Sequence, residues 1–406
     1  MSNISPIVIT GYGIVSAIGV GKENTLTALR NGISGIRAMC FLDTNHREFP
    51  VGEVQMSNER MKHMLGYPDN VFIPRTSLLG QIALLEALID ARLSKKDIEE
   101  VHFISGTTVG GMDRREATHL FEKNCNKRQA LIATFNCADC TEMIANPFGK
   151  FASLSTISTA CSSATNAIIA GADKLRAGLA NIVVVGGAEC LTKFHLNGFN
   201  TLMILDHEPC KPFDRDRQGL NLGEGAAYLV METLESAKAR HVEPITFLTG
   251  YGNACDAFHQ TASSPNGEGA YLAMTEALKM AGLESTDIDY INAHGTGTPN
   301  NDVSESNAIR RVFGESYPPV SSTKSFTGHT TSASGSIEAA ICILAMQNHF
   351  IPANLNWHKS MEDCIQPVSE TIFNIPLNHV LSNAFGFGGN DSCLIFSEEC
   401  GTINYE

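Results

Sequence analysis

The sequence predicts an α/β fold in which one unit occurs twice and packs into a single body. Three observations carry that expectation. Short apolar, β-branched runs alternate with longer stretches of helical periodicity. A repeat recurs at an offset of 190 residues, holding from Glu86/Glu276 to Ile98/Ile288 without a gap. In the first copy Glu86-Ala87-Leu88 leads through Ala91, Leu93 and Asp97-Ile98 to the strand Val101-His102-Phe103-Ile104; in the second Glu276-Ala277-Leu278 leads through Ala281, Leu283 and Asp287-Ile288 to a strand ending Ile291-Asn292-Ala293. The 406 residues also contain no Pro-rich or Gly/Ser-rich tract and no charge run, so no linker divides them. Units of this size are too large for a solenoid, and a pseudo-twofold duplication brings equivalent turns together near its axis. The halves are expected to divide into residues 1–245 and 246–406.

Taken in order, the chain opens with a strand, Pro6-Ile7-Val8-Ile9, with no basic leader ahead of it. No apolar run reaches transmembrane length, and the twelve Cys read as reduced thiols, so a cytoplasmic location is expected. A net charge of −14 argues against nucleic acid and anionic membrane surfaces as partners. Gly11-x-Gly13-x-x-Ser16 invites a dinucleotide reading, but the third Gly is absent and a tight strand-to-helix turn explains the glycines equally well. Cys137-x-x-Cys140 stands alone, with no second pair at zinc spacing.

The stretch Ser155 to Asn166 places Cys161 between a strand and a helix marked by Ile168, Ile169, Ala172, Leu175 and Leu179. Unpaired N–H groups and the helix dipole favour a thiolate at such a position, which suits a nucleophile. The plain alternative is a small buried Cys filling a tight turn. What weighs against it lies downstream. His294 follows a buried strand into the turn Gly295-Thr296-Gly297-Thr298; Lys324 and His329 lie five apart before a helix from Ser336 to Gln347, which echoes the helix after Cys161. Near the end, Asn383-Ala384-Phe385-Gly386-Phe387-Gly388-Gly389-Asn390 is a glycine turn able to present backbone amides.

These residues together resemble the β-ketoacyl-acyl carrier protein synthases of type I/II, within the thiolase superfamily. The resemblance runs along nearly the whole chain. It rests on Thr159-Ala160-Cys161-Ser162-Ser163, Lys211-Pro212-Phe213-Asp214-Arg215-Asp216-Arg217 with Gly223-Glu224-Gly225, His294-Gly295-Thr296-Gly297-Thr298-Pro299, Lys324-Ser325-x-Thr327-Gly328-His329 and the glycine turn. The Cys-His-His set matches the elongating branch rather than the Cys-His-Asn of the starter-unit branch. The fold implied is thiolase-like: five layers, αβαβα, with two pseudo-twofold-related mixed sheets. The activity implied is a decarboxylative Claisen condensation that extends an acyl chain held on Cys161. His294 and His329 would bind the malonyl thioester carbonyl, and the N–H groups of Cys161 and Phe387 would form the oxyanion hole. Lys324 would be a supporting charge paired with Glu338 beneath His329, and Thr296 and Thr298 would meet the phosphopantetheine arm. Asp302 and Glu305 would be structural. Val109 and Phe387 would gate the acyl pocket, with Phe385 beside it.

No metal or redox cofactor is implied, since the carrier protein brings the phosphopantetheine. The partner implied is an acyl carrier protein, which is acidic, so docking needs a local basic surface: Arg60, Lys62, Lys127, Arg128 and Lys211 stand at the family's docking positions. A homodimer is expected through the strand leading into Cys161, and a heterodimer with a related subunit is a second option. Departures at Cys137 to Ile144 and at Asn390-Asp391 leave open a polyketide-type or aryl polyene pathway in place of housekeeping elongation. Two further classes compete: a coenzyme A-dependent thiolase, which needs a second active Cys where only Cys393 is on offer, and a non-catalytic chain-length subunit, which lacks the nucleophile.

Overall fold

The computed structural model describes residues 5–113 and 136–399. The first half runs β1 (Ile7–Ser16), β2 (Gly19–Val20), α1 (Lys22–Arg30), α2 (Asn58–Met64), α3 (Arg75–Asp90), β3 (His102–Gly106), α4 (Cys137–Ala145), β4 (Ser153–Ile157), α5 (Ser163–Arg176), β5 (Ile182–Glu189), α6 (Lys193–Thr201), β6 (Gly225–Thr233) and α7 (Leu234–Ala239). The second runs β7 (Thr246–Cys255), α8 (Glu268–Ala281), β8 (Tyr290–Asn292), α9 (Pro299–Phe313), β9 (Val320–Ser321), α10 (Lys324–Thr327), α11 (Ser334–Gln347), the small ribbon β10 (Phe350–Ile351) with β11 (Ile372–Phe373), then β12 (His379–Gly386) and β13 (Asn390–Ser397).

The duplication is visible in the strand order. The first half builds β4-β3-β5-β6-β1, in which β4, β3 and β5 are parallel and β6 and β1 antiparallel. The second builds β9-β8-β12-β13-β7 with the same order and the same senses. The two mixed sheets touch where Val8 and Ile9 of β1 pair with Phe247 and Thr246 of β7. Alternation along the strands separates the layers, since successive side chains face opposite sides. Val183, Val185, Ala227, Leu229, Leu394 and Phe396 face a central cluster that also holds one face of α5 and nearly all of α11. Val184, Tyr228 and Val230 face outward onto α3, and Ile291, Leu381 and Ile395 face outward onto α8 and α9. The result is five layers, helices–sheet–helices–sheet–helices.

Helix α11 is buried from Ser334 to Met346 on every face, as a helix apolar all round must be. Its counterpart α5 is amphipathic and ends at Arg176, so Leu179, which fits the helical spacing, lies beyond the helix and is exposed. Among the described residues, no helix is long and apolar enough to cross a membrane.

The glycines near the start form neither a dinucleotide loop nor a tight turn. Gly11 and Gly13 lie inside β1, and helix α3 presses directly on them. A side-chain carbon on Gly13 would stand 2.1 Å from the Ala83 carbonyl oxygen, and one on Gly11 2.4 Å from the Ala91 nitrogen. Close backbone approach is the reason for the glycines. Gly13→Ala should therefore push α3 off the sheet and cost about 1–3 kcal/mol, the usual penalty of overpacking; the denaturant midpoint of the purified variant measures it.

Candidate active site

Cys161 stands at the turn between β4 and α5, with its side chain 5% exposed. The preceding Ala160 is left-handed at φ 53°, a conformation few non-glycine residues adopt. Neighbouring bonds over-determine that turn. The Thr159 N–H donates to Ser163 Oγ at 2.9 Å, Ser163 Oγ donates to the Ala160 carbonyl at 2.6 Å, and Asn166 Nδ2 donates to Thr159 Oγ1 at 2.8 Å. Backbone N–H groups of Phe387 and of Cys161 itself reach the sulfur. The expected thiolate is not the resting form: burial pushes the thiol up to about 11, with the Lys324 ammonium and the Phe387 N–H only partly opposing it. The helix start orients the sulfur without ionising it.

His294 leaves β8 on a turn fastened from behind. Glu305 of α9 accepts the His294 and Gly295 N–H groups at 2.8 and 2.7 Å, and Asn383 Nδ2 at 3.1 Å. Asp302 accepts the Phe213 N–H at 2.7 Å and the Gly297 N–H at 3.2 Å, and lies 3.4 Å from Arg217 Nε. Burial pushes the Glu305 carboxyl up to about 7 against those hydrogen bonds. Both acids hold backbone and face away from the cavity lining, which contains neither. Thr296 and Thr298 do line it, 2.8 Å apart at their hydroxyls.

Lys324 sits at the start of α10, 1% exposed, and its ammonium lies 2.5 Å from Glu338 Oε1 on α11. The expected pair forms, and Nζ also lies 3.2 Å from His294 Nδ1. An ammonium has no acceptor, so Nδ1 of His294 accepts and the ring proton stays on Nε2. His329 is held by its backbone to Asn221 and Gly223 at 2.7 and 2.9 Å, and its Nδ1 lies 3.0 Å from Ser334 Oγ at the start of α11. Burial first, and then the Lys324 charge, hold both imidazoles well below their usual range, so both are neutral. The two rings meet edge to face at 5.3 Å between centroids.

Cys161, His294, His329, Phe385 and Phe387 line one cavity of about 320 Å³. Its remaining wall includes Phe199 and Leu202 from α6 and the residue after it, and Thr261 to Ser263 from the loop after β7. Phe387 stacks on Phe199 at 5.9 Å, and Phe385 packs against His294 at 5.6 Å. Sequence reasoning missed this wall, which consists of ordinary apolar and small residues with no motif of their own. It also missed Glu189, which gathers Thr107, Thr108 and Ser332 at the end of β5 and so ties the two halves together near the site.

Two expectations need correction. Val109 does not line the cavity: it follows Thr108, whose N–H and hydroxyl are both drawn to Glu189. Lys62 is no docking residue; it is buried, and its ammonium donates to the Asp69 carbonyl at 2.8 Å. Lys211 is partly exposed and pairs with Glu208 at 2.6 Å. Arg60 is exposed, whereas Lys127 and Arg128 lie outside the described residues.

A buried thiol with two neutral imidazoles and two convergent amides, set at the equivalent turns of a duplicated αβαβα body, defines a thiolase-fold acyltransferase. The descriptions "Beta-ketoacyl synthase, N-terminal domain" and "Beta-ketoacyl synthase, C-terminal domain" match residues 5–237 and 245–358. The chain belongs to the β-ketoacyl synthase family. It is 31% identical over 412 residues to 3-oxoacyl-acyl-carrier-protein synthase 2 of Staphylococcus aureus, covering 98% of this chain and 99% of that one. Among solved structures it is similar to the ishigamide ketosynthase/chain length factor, with 32% identity, TM-score 0.90 and coverage of 97% and 99%. It is also similar to a type II PKS ketosynthase bound to the hexaketide, in complex with its acyl-carrier protein, at 26% identity, TM-score 0.86 and coverage of 98% and 100%.

Glu338→Ala leaves the Lys324 ammonium buried without its partner, a change that typically costs roughly 3–5 kcal/mol. Both the denaturation midpoint and the turnover should fall together. A folded, fully active variant would show that the pair is dispensable.

Proposed function

We propose that this ketosynthase extends an acyl chain by two carbons, taking the chain onto Cys161 from one acyl carrier protein and the two carbons from malonyl carried by another. The observation that carries the reading is the pair of neutral imidazoles: with Lys324 fixing His294, its Nε2–H is available as a donor to a ligand oxygen. In the first step the Cys161 sulfur adds to the acyl thioester carbonyl. The Phe387 and Cys161 N–H groups stabilise the oxyanion, the carrier thiolate leaves, and the thiol proton passes to it. In the second step the malonyl thioester oxygen sits against the two imidazole N–H groups. Loss of CO₂ leaves its electron pair in an enolate that those donors stabilise. The enolate carbon attacks the Cys161 thioester, a C–C bond forms, and the Cys161 thiolate departs and regains a proton. Neutral imidazoles suit this work, because a donor is needed and no group has to be deprotonated by them.

Thr296 and Thr298, which line the cavity, would hydrogen-bond the pantetheine arm. The protein works as a dimer through the edge strand β4, whose Leu154 is 37% exposed, an apolar edge poorly suited to water. The reaction needs no metal or redox cofactor, and the site is cytoplasmic chemistry on carrier-bound thioesters. A second reading places the enzyme in a specialised, polyketide-type pathway with a chain-length subunit as its partner. The likeness to the ishigamide ketosynthase/chain length factor, at 32% identity and TM-score 0.90, supports it.

Mass spectrometry of the acylated enzyme should place the acyl group on Cys161 and report its chain. Cys161→Ala should abolish condensation, while Cys161→Gln, which imitates the acylated side chain, keeps malonyl decarboxylation; acylation found on Cys137 or Cys393 would overturn the assignment. Carrier docking falls to Arg60 and Lys211 with Lys127 and Arg128. Reversing Lys127 and Arg128 to Glu should raise the Michaelis constant for carrier-bound substrate through slower association, since charges act over about 8–10 Å at physiological salt. Turnover of a small pantetheine thioester should stay unchanged.

A further inference from the structure

The glycine turn that presents the Phe387 N–H runs directly into β13, whose second residue, Asp391, stands in acidic surroundings. The loop after β7 folds back onto that turn: the Asp256 N–H donates to the Gly389 carbonyl at 2.7 Å, and the Gly388 N–H to the Gln260 carbonyl at 2.8 Å. The Asp256 carboxylate is committed as an acceptor. Oδ1 takes Ser264 Oγ at 2.6 Å and the Gly269 N–H at 3.1 Å, and Oδ2 takes the Ser264 N–H at 2.5 Å.

The Asp391 carboxyl enters the same gap. A side-chain carbon on Gly269 would meet Asp391 Oδ2 at 2.3 Å and Asp256 Cβ at 2.9 Å, and one on Gly389 would meet Asp256 Cβ at 3.0 Å. Only bare glycine backbone at both positions lets the two acids come together here. From α9, Glu305 faces Asp391 as well, its oxygens already taken by three N–H groups. Glu268, at the start of α8, is turned to Arg311 at 2.8 Å. Among the described residues, no hydrogen-bond donor serves the Asp391 carboxyl, and the charged groups acting on it are both acidic.

We propose that Asp391 is a positioning residue that works as a neutral carboxylic acid: while protonated it lets the glycine turn lie against the Asp256 loop, and its ionisation forces the two apart and carries the Phe387 N–H away from Cys161. The inference rests on the reading of that N–H as an oxyanion donor. Burial, then Asp256, then Glu305 push the Asp391 carboxyl up to about 8. Below that pH it holds its proton; above it, three carboxylates confront one another behind the turn. The sign for stability follows. A carboxyl raised above its unfolded value contributes most at low pH, and that contribution is lost as pH rises through the folded value.

The test is Asp391→Asn, the same shape without the titrating proton, in the full-length enzyme with acyl- and malonyl-carrier substrates. Wild-type kcat should fall about tenfold between pH 7 and 9 through a group with its midpoint near 8, whereas the variant should lack that limb. The ratio of variant to wild type then rises about tenfold over that interval. Superimposed profiles, or a loss that is the same at every pH, would overturn the proposal. Thermal melting gives a readout independent of the reaction. The variant should melt higher than wild type by a margin that widens as pH rises towards 8 and is constant above it; a margin independent of pH would overturn the role of the proton even if the enzyme's substrates were other than proposed. Should Asp391→Asn fail to fold, the wild-type profile decides, and a profile flat from pH 7 to 9 refutes the idea.

Discussion

One buried ammonium organises the chemistry of this molecule. Lys324 is surrounded by protein, so its charge needs a counter-charge, and Glu338 supplies it across 2.5 Å from the next helix. That leaves a donor for His294 Nδ1, and a single contact fixes which nitrogen of the imidazole holds the proton. The same charge reaches three titrating groups with different effects: it adds to burial, the larger cause, in keeping both histidines neutral, and it eases the thiol of Cys161 towards ionisation, although burial dominates there too. Replacing the ammonium by an uncharged side chain of equal volume would therefore alter the nucleophile and the donors at once.

The duplication explains why such a set can exist at all. Each half repeats the same strand order, and each sends a helix into the shared middle layer. The turn before α5 delivers Cys161, while the turns after β8 and before α11 deliver the two histidines. The hairpin of β12 and β13 then brings Phe387 over the sulfur. Acids placed behind these turns, Glu305 and Asp302 above all, convert flexible glycine loops into fixed ones by accepting their N–H groups.

Much of this was legible in the sequence, for a physical reason. Turn chemistry is local, so Cys161, His294, Lys324 and His329 announce themselves by the residues beside them, and the repeat between Glu86 and Glu276 reveals the fold. What escaped depends on packing between distant segments. Nothing around Lys62 shows that its ammonium turns inward to carbonyls at Asp69 and Val71. Nothing around Gly11 and Gly13 distinguishes a turn from a strand pressed by a helix. Phe199 and Leu202 carry no signal because a cavity wall asks only for shape. The ionisation of Cys161 does not follow from the sequence, because a helix start is visible there and the depth of burial is not.

The two-residue pairing of β1 with β7 has a consequence for how the molecule is made. Those strands come from opposite halves, so β1 finds this partner only after residue 247 has emerged. Helix α5 waits still longer, since its companion α11 ends at Gln347. Until then the nascent chain exposes an apolar sheet face and half of its middle layer. Neither half can therefore bury its inner sheet face alone, and the middle layer closes only when α5 and α11 are both in place.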